Sequence, residues 1–235
     1  MRLSKKRFPG QNKMKKIFSV SCFALLLFSF SCTPSRLVRP LNKGQKVVSA
    51  SLGGPLIGFA GTVIPVPLTS IMYAQGLTNK TSVFGSVHTT SLLFGVFQTD
   101  IGICQSLYYN DSLRIGISAN PALNLAFDKW EKHFKCWPEL DLNAYWNIKP
   151  NKSFVYAGIE NWFELAKYKA YGETQQNHWL FNPQIGYSYV RKKWNYNFEL
   201  KYLVPNINNT PNVVDYKGIA GKGAIGIYVN FTRKF

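Results

Sequence analysis

The end of the chain, Ala224-Ile225-Gly226-Ile227-Tyr228-Val229-Asn230-Phe231-Thr232-Arg233-Lys234-Phe235, alternates residue by residue. Ile225, Ile227, Val229, Phe231 and Phe235 share one face, with Arg233 the exception. Ala224, Gly226, Tyr228, Asn230, Thr232 and Lys234 share the other. Successive side chains of a β-strand point to opposite faces, so this segment has one apolar side and one small or polar side. Such a division suits a strand with lipid on one face and a polar interior on the other. It recurs upstream, where Trp194, Tyr196, Phe198, Leu200, Tyr202 and Val204 oppose Asn195, Asn197, Glu199 and Lys201. Leu140, Leu142, Ala144, Trp146 and Ile148 likewise oppose Glu139, Asp141, Asn143 and Asn147. Leu113, Ile115, Ile117, Leu123, Leu125 and Phe127 oppose Arg114, Ser118 and Asn120.

Ten strands are predicted, over 45–52, 66–76, 81–88, 92–108, 112–127, 136–148, 153–163, 178–190, 194–204 and 222–234. Most run 9–13 residues, near the ~9–11 that a tilted strand needs to cross a bilayer. Four connections (77–80, 110–111, 149–152 and 191–192) are short and polar, whereas 53–65, 128–135, 165–177 and 205–221 are long. Short turns on one side and long loops on the other are the pattern of outer-membrane barrels. Phe235, with Phe231 on the same face, resembles the assembly signal that ends bacterial outer-membrane β-barrel proteins. The resemblance implies recognition by barrel-assembly machinery. The expected fold is all-β, an antiparallel up-and-down transmembrane β-barrel over 45–235. About ten strands are expected, or eight or twelve if any were split or merged.

A soluble sandwich or lipocalin-like barrel would carry the same alternation with its apolar face inward. Aromatic placement separates the two. Tyr108, Tyr109, Trp146, Phe154, Trp194 and Phe235 fall near the turn end, and Trp130, Phe134, Trp137, Trp162 and Trp179 near the loop end. Two such groups match the aromatic belts of a membrane protein. The phase of strand 92–108 slips near Asp100, which predicts a bulge there.

Residues 1–31 read as a secretory signal, with Lys15 and Lys16 ahead of the apolar run 17–30 and small Ser31, and Met14 as an alternative start. The run is shorter than the ~20 residues of a spanning helix. Cys32, directly after the cleavage point, resembles the acylated cysteine of bacterial lipoproteins, which makes 32–44 a lipid-anchored linker; Ser29-Phe30-Ser31 also suits ordinary signal peptidase. Seven of the 28 basic residues precede the cut and none of the 11 acidic ones do, leaving 21 against 11, about +10. That charge is scattered over turns and loops, without a basic helix or an aromatic-basic RNA motif. It argues against nucleic acid and for outer-membrane lipid and lipopolysaccharide as partners. Cys104 and Cys136 fall near opposite barrel ends, beyond the ~7 Å reach of a disulfide, and are expected to be free.

Counting across the 149–152 turn sets Asp141 opposite Glu160, both inward. Carboxylates at cross-strand distance repel unless a cation intervenes. A shared proton would permit acid–base chemistry; a bridging base would instead make an ion-pair network filling the lumen. The second reading is carried forward, with Asp100, Arg114, Glu139, Asp141, Glu160, Glu199 and Lys201 as the expected network and no catalytic residue. His88, His133 and His178 are placed at or beyond the loop rim, among Asp128, Glu131, Glu164 and Glu173. Histidine and aspartate at the rim of a ten-stranded barrel resemble the omptin surface proteases in architecture and residue type, but no omptin motif matches and no role transfers.

The chain has no Gly-x-Ser-x-Gly turn, residues 218–223 lack the spacing of a phosphate loop, and no Cys/His grouping has metal-ligand spacing, so no cofactor is expected. The apolar, glycine-rich stretch 53–61 reads as a plug, a partner-binding segment or a tolerant surface loop. A barrel of this size has an interior that side chains can fill, which argues against a general porin. Three functions follow: a non-enzymatic structural or interaction role with an envelope protein partner or surface glycan; a narrow channel for small or cationic solutes, gated by 53–65; or a surface hydrolase using His88 or His178.

Overall fold

The computed structural model describes residues 34–130, 132–148, 153–168, 174–210 and 214–235. The predicted signal sequence, Cys32, Glu131, Glu173 and the turn 149–152 lie outside the described residues. Among the described residues the strands are β1 (Lys46–Phe59), β2 (Thr62–Pro65), β3 (Leu68–Gly76), β4 (Thr81–His88), β5 (Val96–Asn110), β6 (Ile115–Asp128), β7 (Phe134–Asn147), β8 (Phe154–Phe163), β9 (Trp179–Val190), β10 (Trp194–Asn208) and β11 (Lys222–Lys234), with one short helix, α1 (Thr89–Leu93). Neighbours pair antiparallel in chain order from β3 to β11, and β1 pairs with both β3 and β11. The result is a closed ring of ten strands, with β2 paired to the far end of β1 alone. Closure removes every sheet edge from the wall, as a bilayer requires of a β-structure.

The polarity of the wall is inverted relative to a soluble barrel. Ile101, Ile185 and Phe198 are 59%, 58% and 54% exposed on the outside, whereas Asn120, Asn124 and Asn182 inside are fully buried. Outward apolar and inward polar side chains settle the choice that alternation alone left open, in favour of a barrel with lipid around it.

Inward aromatic rings are accommodated by cross-strand glycines. Tyr145 lies over Gly116, Tyr156 over Gly186 and Phe84 over Gly102. A Cβ on these glycines would come within 2.1, 2.3 and 2.5 Å of the respective ring. With only hydrogen there, each ring packs against the backbone of the neighbouring strand.

Several details depart from the sequence reading. Stretch 53–61 is no loop or plug: β1 runs through it to Phe59 and turns back as β2, because its residues still find ladder partners above the wall. The bulge lies at Ser106–Tyr108 of β5 rather than near Asp100. Phe154, Trp137 and Trp162 point inward and are buried, so they belong to the lumen and not to the outer belts. Arg114 sits exposed in the β5–β6 turn at φ 57°, just before β6 begins, and does not enter the lumen. Phe231 and Phe235 are exposed on the outer face of β11 and just beyond it.

Candidate functional site

The lumen is occupied by the chain itself. Residues 34–44, expected as a linker outside the barrel, run through the interior to the turn end. Their backbone is held by inward side chains of the wall: Asn230 Nδ2 donates to Ser35 O (3.2 Å), Asn120 Nδ2 to Leu37 O (2.5 Å) and Ser118 Oγ to Val38 O (2.5 Å). Leu41 N donates to Ser82 Oγ (2.8 Å) and Gly44 N to Gly76 O (2.8 Å), which ties the segment to the turn end. Val38 packs with Tyr145, Phe154, Tyr156 and Val190, and Leu41 with Val47, Met72, Ala74, Phe84 and Ala122. The segment supplies the apolar contacts that the polar lumen lacks.

Arg36 is the segment's charged centre. Its Nη2 donates to Asp100 Oδ1 (3.1 Å) and to Glu139 Oε2, and its Nη1 stands 3.5 Å from Asp141 Oδ1. β5 brings Asp100 to this point and β7 brings Glu139 and Asp141, two residues apart and therefore on one face. Across the lumen Lys201 Nζ contacts Glu160 Oε2 (3.0 Å) and Glu199 Oε1 (3.5 Å). Asp141 pairs with Glu160 in register, as the count across the turn predicts, and the cations between the carboxylates are Lys201 and Arg36. Glu199 also accepts from Ser35 Oγ (2.8 Å) and from Tyr156 Oη (2.5 Å). The structure thus brings together Asp100, Glu139, Asp141, Glu160, Glu199 and Lys201, leaves Arg114 outside, and adds Arg36, which the sequence reading missed.

The cluster is unbalanced. Among the described residues, five carboxylates face the cations Arg36 and Lys201, with His88 against one edge. Glu139 Oε1 and Glu160 Oε1 are buried without a hydrogen-bond partner, as is Arg36 Nε. Buried charges are stable only when paired and hydrogen-bonded, so these orphaned atoms mark where the waist is incompletely satisfied.

His88 is not at the outer rim. It is buried at the end of β4, its Nε2 2.8 Å from Asp100 Oδ2, which also accepts from Ser86 Oγ (2.6 Å). The serine meets the carboxylate, not the imidazole, so the three do not form a relay from base to nucleophile. His178 is exposed, with Nδ1 2.8 Å from the Glu164 carbonyl. Cys104 and Cys136 are both free.

The two ends of the lumen differ. Toward the loops, Trp137 and Trp162 pack with ring centroids 5.5 Å apart, and Trp137 Nε1 donates to Glu164 Oε2 (2.8 Å). Toward the turns a cavity of about 1170 Å³ opens beside the segment, and its lining includes Arg39, Lys43, Lys80, Lys192, Lys193 and Lys234. Arg39 stacks over Phe154 at 4.6 Å and donates to Asn147 Oδ1 (2.8 Å).

No protein-family model matches the chain, and no curated protein does. Among solved structures it is similar to an outer membrane channel from Pseudomonas putida F1, with a TM-score of 0.50 and 7% identity over 86% of this chain and 100% of that one. The translocator domain of the autotransporter NalP from Neisseria meningitidis gives 0.47 and 8% over 96% and 95%. The outer membrane protease OmpT from Escherichia coli gives 0.36 and 11% over 88% and 99%. At these identities the first likeness speaks to the fold alone.

Proposed function

Starting from a bacterial outer-membrane β-barrel, which its closed ring of ten strands and its inverted polarity make this chain, we propose a narrow channel for small or cationic solutes, held shut by its own residues 34–44. The supporting observation is what fills the lumen. Wall side chains of so small a barrel can close it unaided. Here the rings of Tyr145, Tyr156 and Phe84 are laid against glycines, and the axis takes an extended peptide instead. Without that peptide the barrel would enclose a polar path wide enough for an extended chain. The gate is therefore 34–44, not the 53–65 stretch of the sequence reading, which is part of the wall as far as Pro55 and continues beyond it as the end of β1 and β2.

Planar-bilayer recordings test this. The wild-type barrel is expected to stay closed with brief openings. Arg36→Ala, or replacement of 35–41 by a Gly/Ser stretch, is expected to give long openings that favour cations over anions. A variant that keeps its heat-dependent gel mobility, and so its barrel, yet passes no current would remove the channel reading.

A second reading has its own support. Phe59 and Val63 of the β1–β2 hairpin are exposed at the loop end, which suits docking of an envelope partner and a structural or interaction role. Nothing comparable supports a surface hydrolase, since His88 is buried against Asp100 and His178 faces a backbone carbonyl.

A further inference from the structure

We propose that the waist of the barrel is a binding site for guanidinium-bearing solutes, and that Arg36 occupies it as a tethered stand-in. This deepens the channel reading and rests on it, because a solute reaches the site only when 34–44 withdraws.

The site is already occupied by a guanidinium in the structure. Asp100 and Glu139 converge on Nη2 of Arg36, and Asp141 approaches Nη1. Three carboxylates meeting two nitrogens of one group suit the fixed fork of a guanidinium better than the point charge of an ammonium. Asp100 is itself held by the wall. Asp100 accepts from Asn124 Nδ2 (2.5 Å) and Ser86 Oγ (2.6 Å), with His88 Nε2 at 2.8 Å. Lys201 holds Glu160 and Glu199, which leaves the other three acids to the ligand. A preorganised, largely dry acceptor set of this kind favours one ligand geometry strongly.

Arg36 fits the site imperfectly because it is tethered. The backbone is fixed at Ser35 and Leu37 by Asn230 and Asn120. The Arg36–Asp141 contact is long at 3.5 Å, and Arg36 Nε and Glu139 Oε1 are both buried without a partner. A free guanidinium can shift to use the vacant Glu139 oxygen, so an external ligand can compete with the internal one. Ser35 and Arg36, consecutive in a peptide, both meet these acids, Ser35 through Glu199 and Arg36 through Asp100, Glu139 and Asp141. The ligand class therefore covers both free arginine-like solutes and arginine-containing peptides.

The test uses the full chain carrying Arg36→Ala in nanodiscs, with Arg36→Lys as a second variant in case the first folds poorly. Arginine amide, lysine amide and the peptide Ser-Arg-Leu-Val-Arg are titrated against the thermal midpoint and, separately, against single-channel current. Arginine amide is expected to raise the midpoint saturably and block the current. Lysine amide should need about tenfold more, as expected for loss of one charge-assisted hydrogen bond. Glu139→Gln added to Arg36→Ala should abolish both effects. Tighter binding of the peptide than of arginine amide assigns the peptide class, and equal binding assigns the free solute. Equal potency of arginine and lysine amides, or no saturable effect, would overturn the proposal. A variant that conducts but ignores arginine loses the site and keeps the channel; one that binds arginine without conducting keeps the site and loses the channel.

Discussion

Tyr156 reaches Glu199 only because Gly186 gives its ring somewhere to lie. A methyl on Gly186 would stand 2.3 Å from that ring, so Gly186→Ala must turn the ring toward the axis, where Val38 already packs. The expected cost is that of overpacking, about 1–3 kcal/mol. Urea unfolding in micelles would read it, with faster protease cleavage within 34–44 as the local sign. The opposite face answers to lipid. Ile185, next to Gly186 and 58% exposed near the middle of β9, is expected to cost about 2–4 kcal/mol on replacement by Arg, measured by folding equilibrium in lipid vesicles. Alternation in the sequence was enough to say that Ile185 faces out. It could not pair Gly186 with Tyr156, because that pairing needs the register between β8 and β9. Arg114 failed for a related reason: period two continued from β6 points it inward, but the strand stops at Ile115 and the turn bends it away.

Among the elements, the strands were legible and the segment 34–44 was not. Each strand repeats one physical instruction, lipid on one side and polar atoms on the other, so it declares itself locally. Residues 34–44 have no period, and their partners are distant: Arg36 meets Asp100 and Glu139 across separations of 64 and 103 residues. One signal was available. An inward set of five carboxylates with Lys201 among them needs another buried cation, and Arg36 and Arg39, flanking apolar Leu37 and Val38 ahead of β1, were candidates. The segment's hold divides between polar contacts and two small apolar clusters, so Val38→Asp should unseat it while sparing the wall. Protease access to 34–44 should rise, with little change in the temperature at which gel mobility shifts. Unchanged access would mean that the polar contacts suffice alone. Beyond Pro55 the β1–β2 hairpin predicts the reverse, since there it meets the β10–β11 loop, through Gly58 N to Asp215 O (2.8 Å), rather than a strand of the ring. Shortening it at 58–63 should leave both readouts unaltered.

Over the whole molecule, charge is sorted along the axis. The waist is acidic, and the turn-end cavity is ringed by Arg39, Lys43, Lys80, Lys192, Lys193 and Lys234, with Asp111 as the acidic side chain in its lining. In an outer-membrane barrel the short turns face the periplasm, so a cation leaving the waist inward meets a repulsive mouth. With 34–44 withdrawn, Arg39 and Lys43 leave with it, and the waist acts in series with a mouth still lined by Lys80, Lys192, Lys193 and Lys234; the two oppose each other, and the mouth, being open to solvent, is the part that salt screens. At about 0.01 M salt the Debye length is about 30 Å and the basic mouth spans the whole opening; at 1 M it is about 3 Å and the mouth falls silent. Cation preference of the Arg36→Ala channel should therefore rise with salt, the reverse of a pore whose only selective element is an exposed acidic ring. Lys192→Glu with Lys193→Glu in that background should raise cation preference at low salt and leave it unchanged at 1 M. Glu139→Gln with Asp141→Asn should lower it at both, because the waist groups are buried and poorly screened. Reversal potentials across a salt gradient separate these cases, and a preference that follows the lysines at high salt would place the selective element at the mouth instead of the waist.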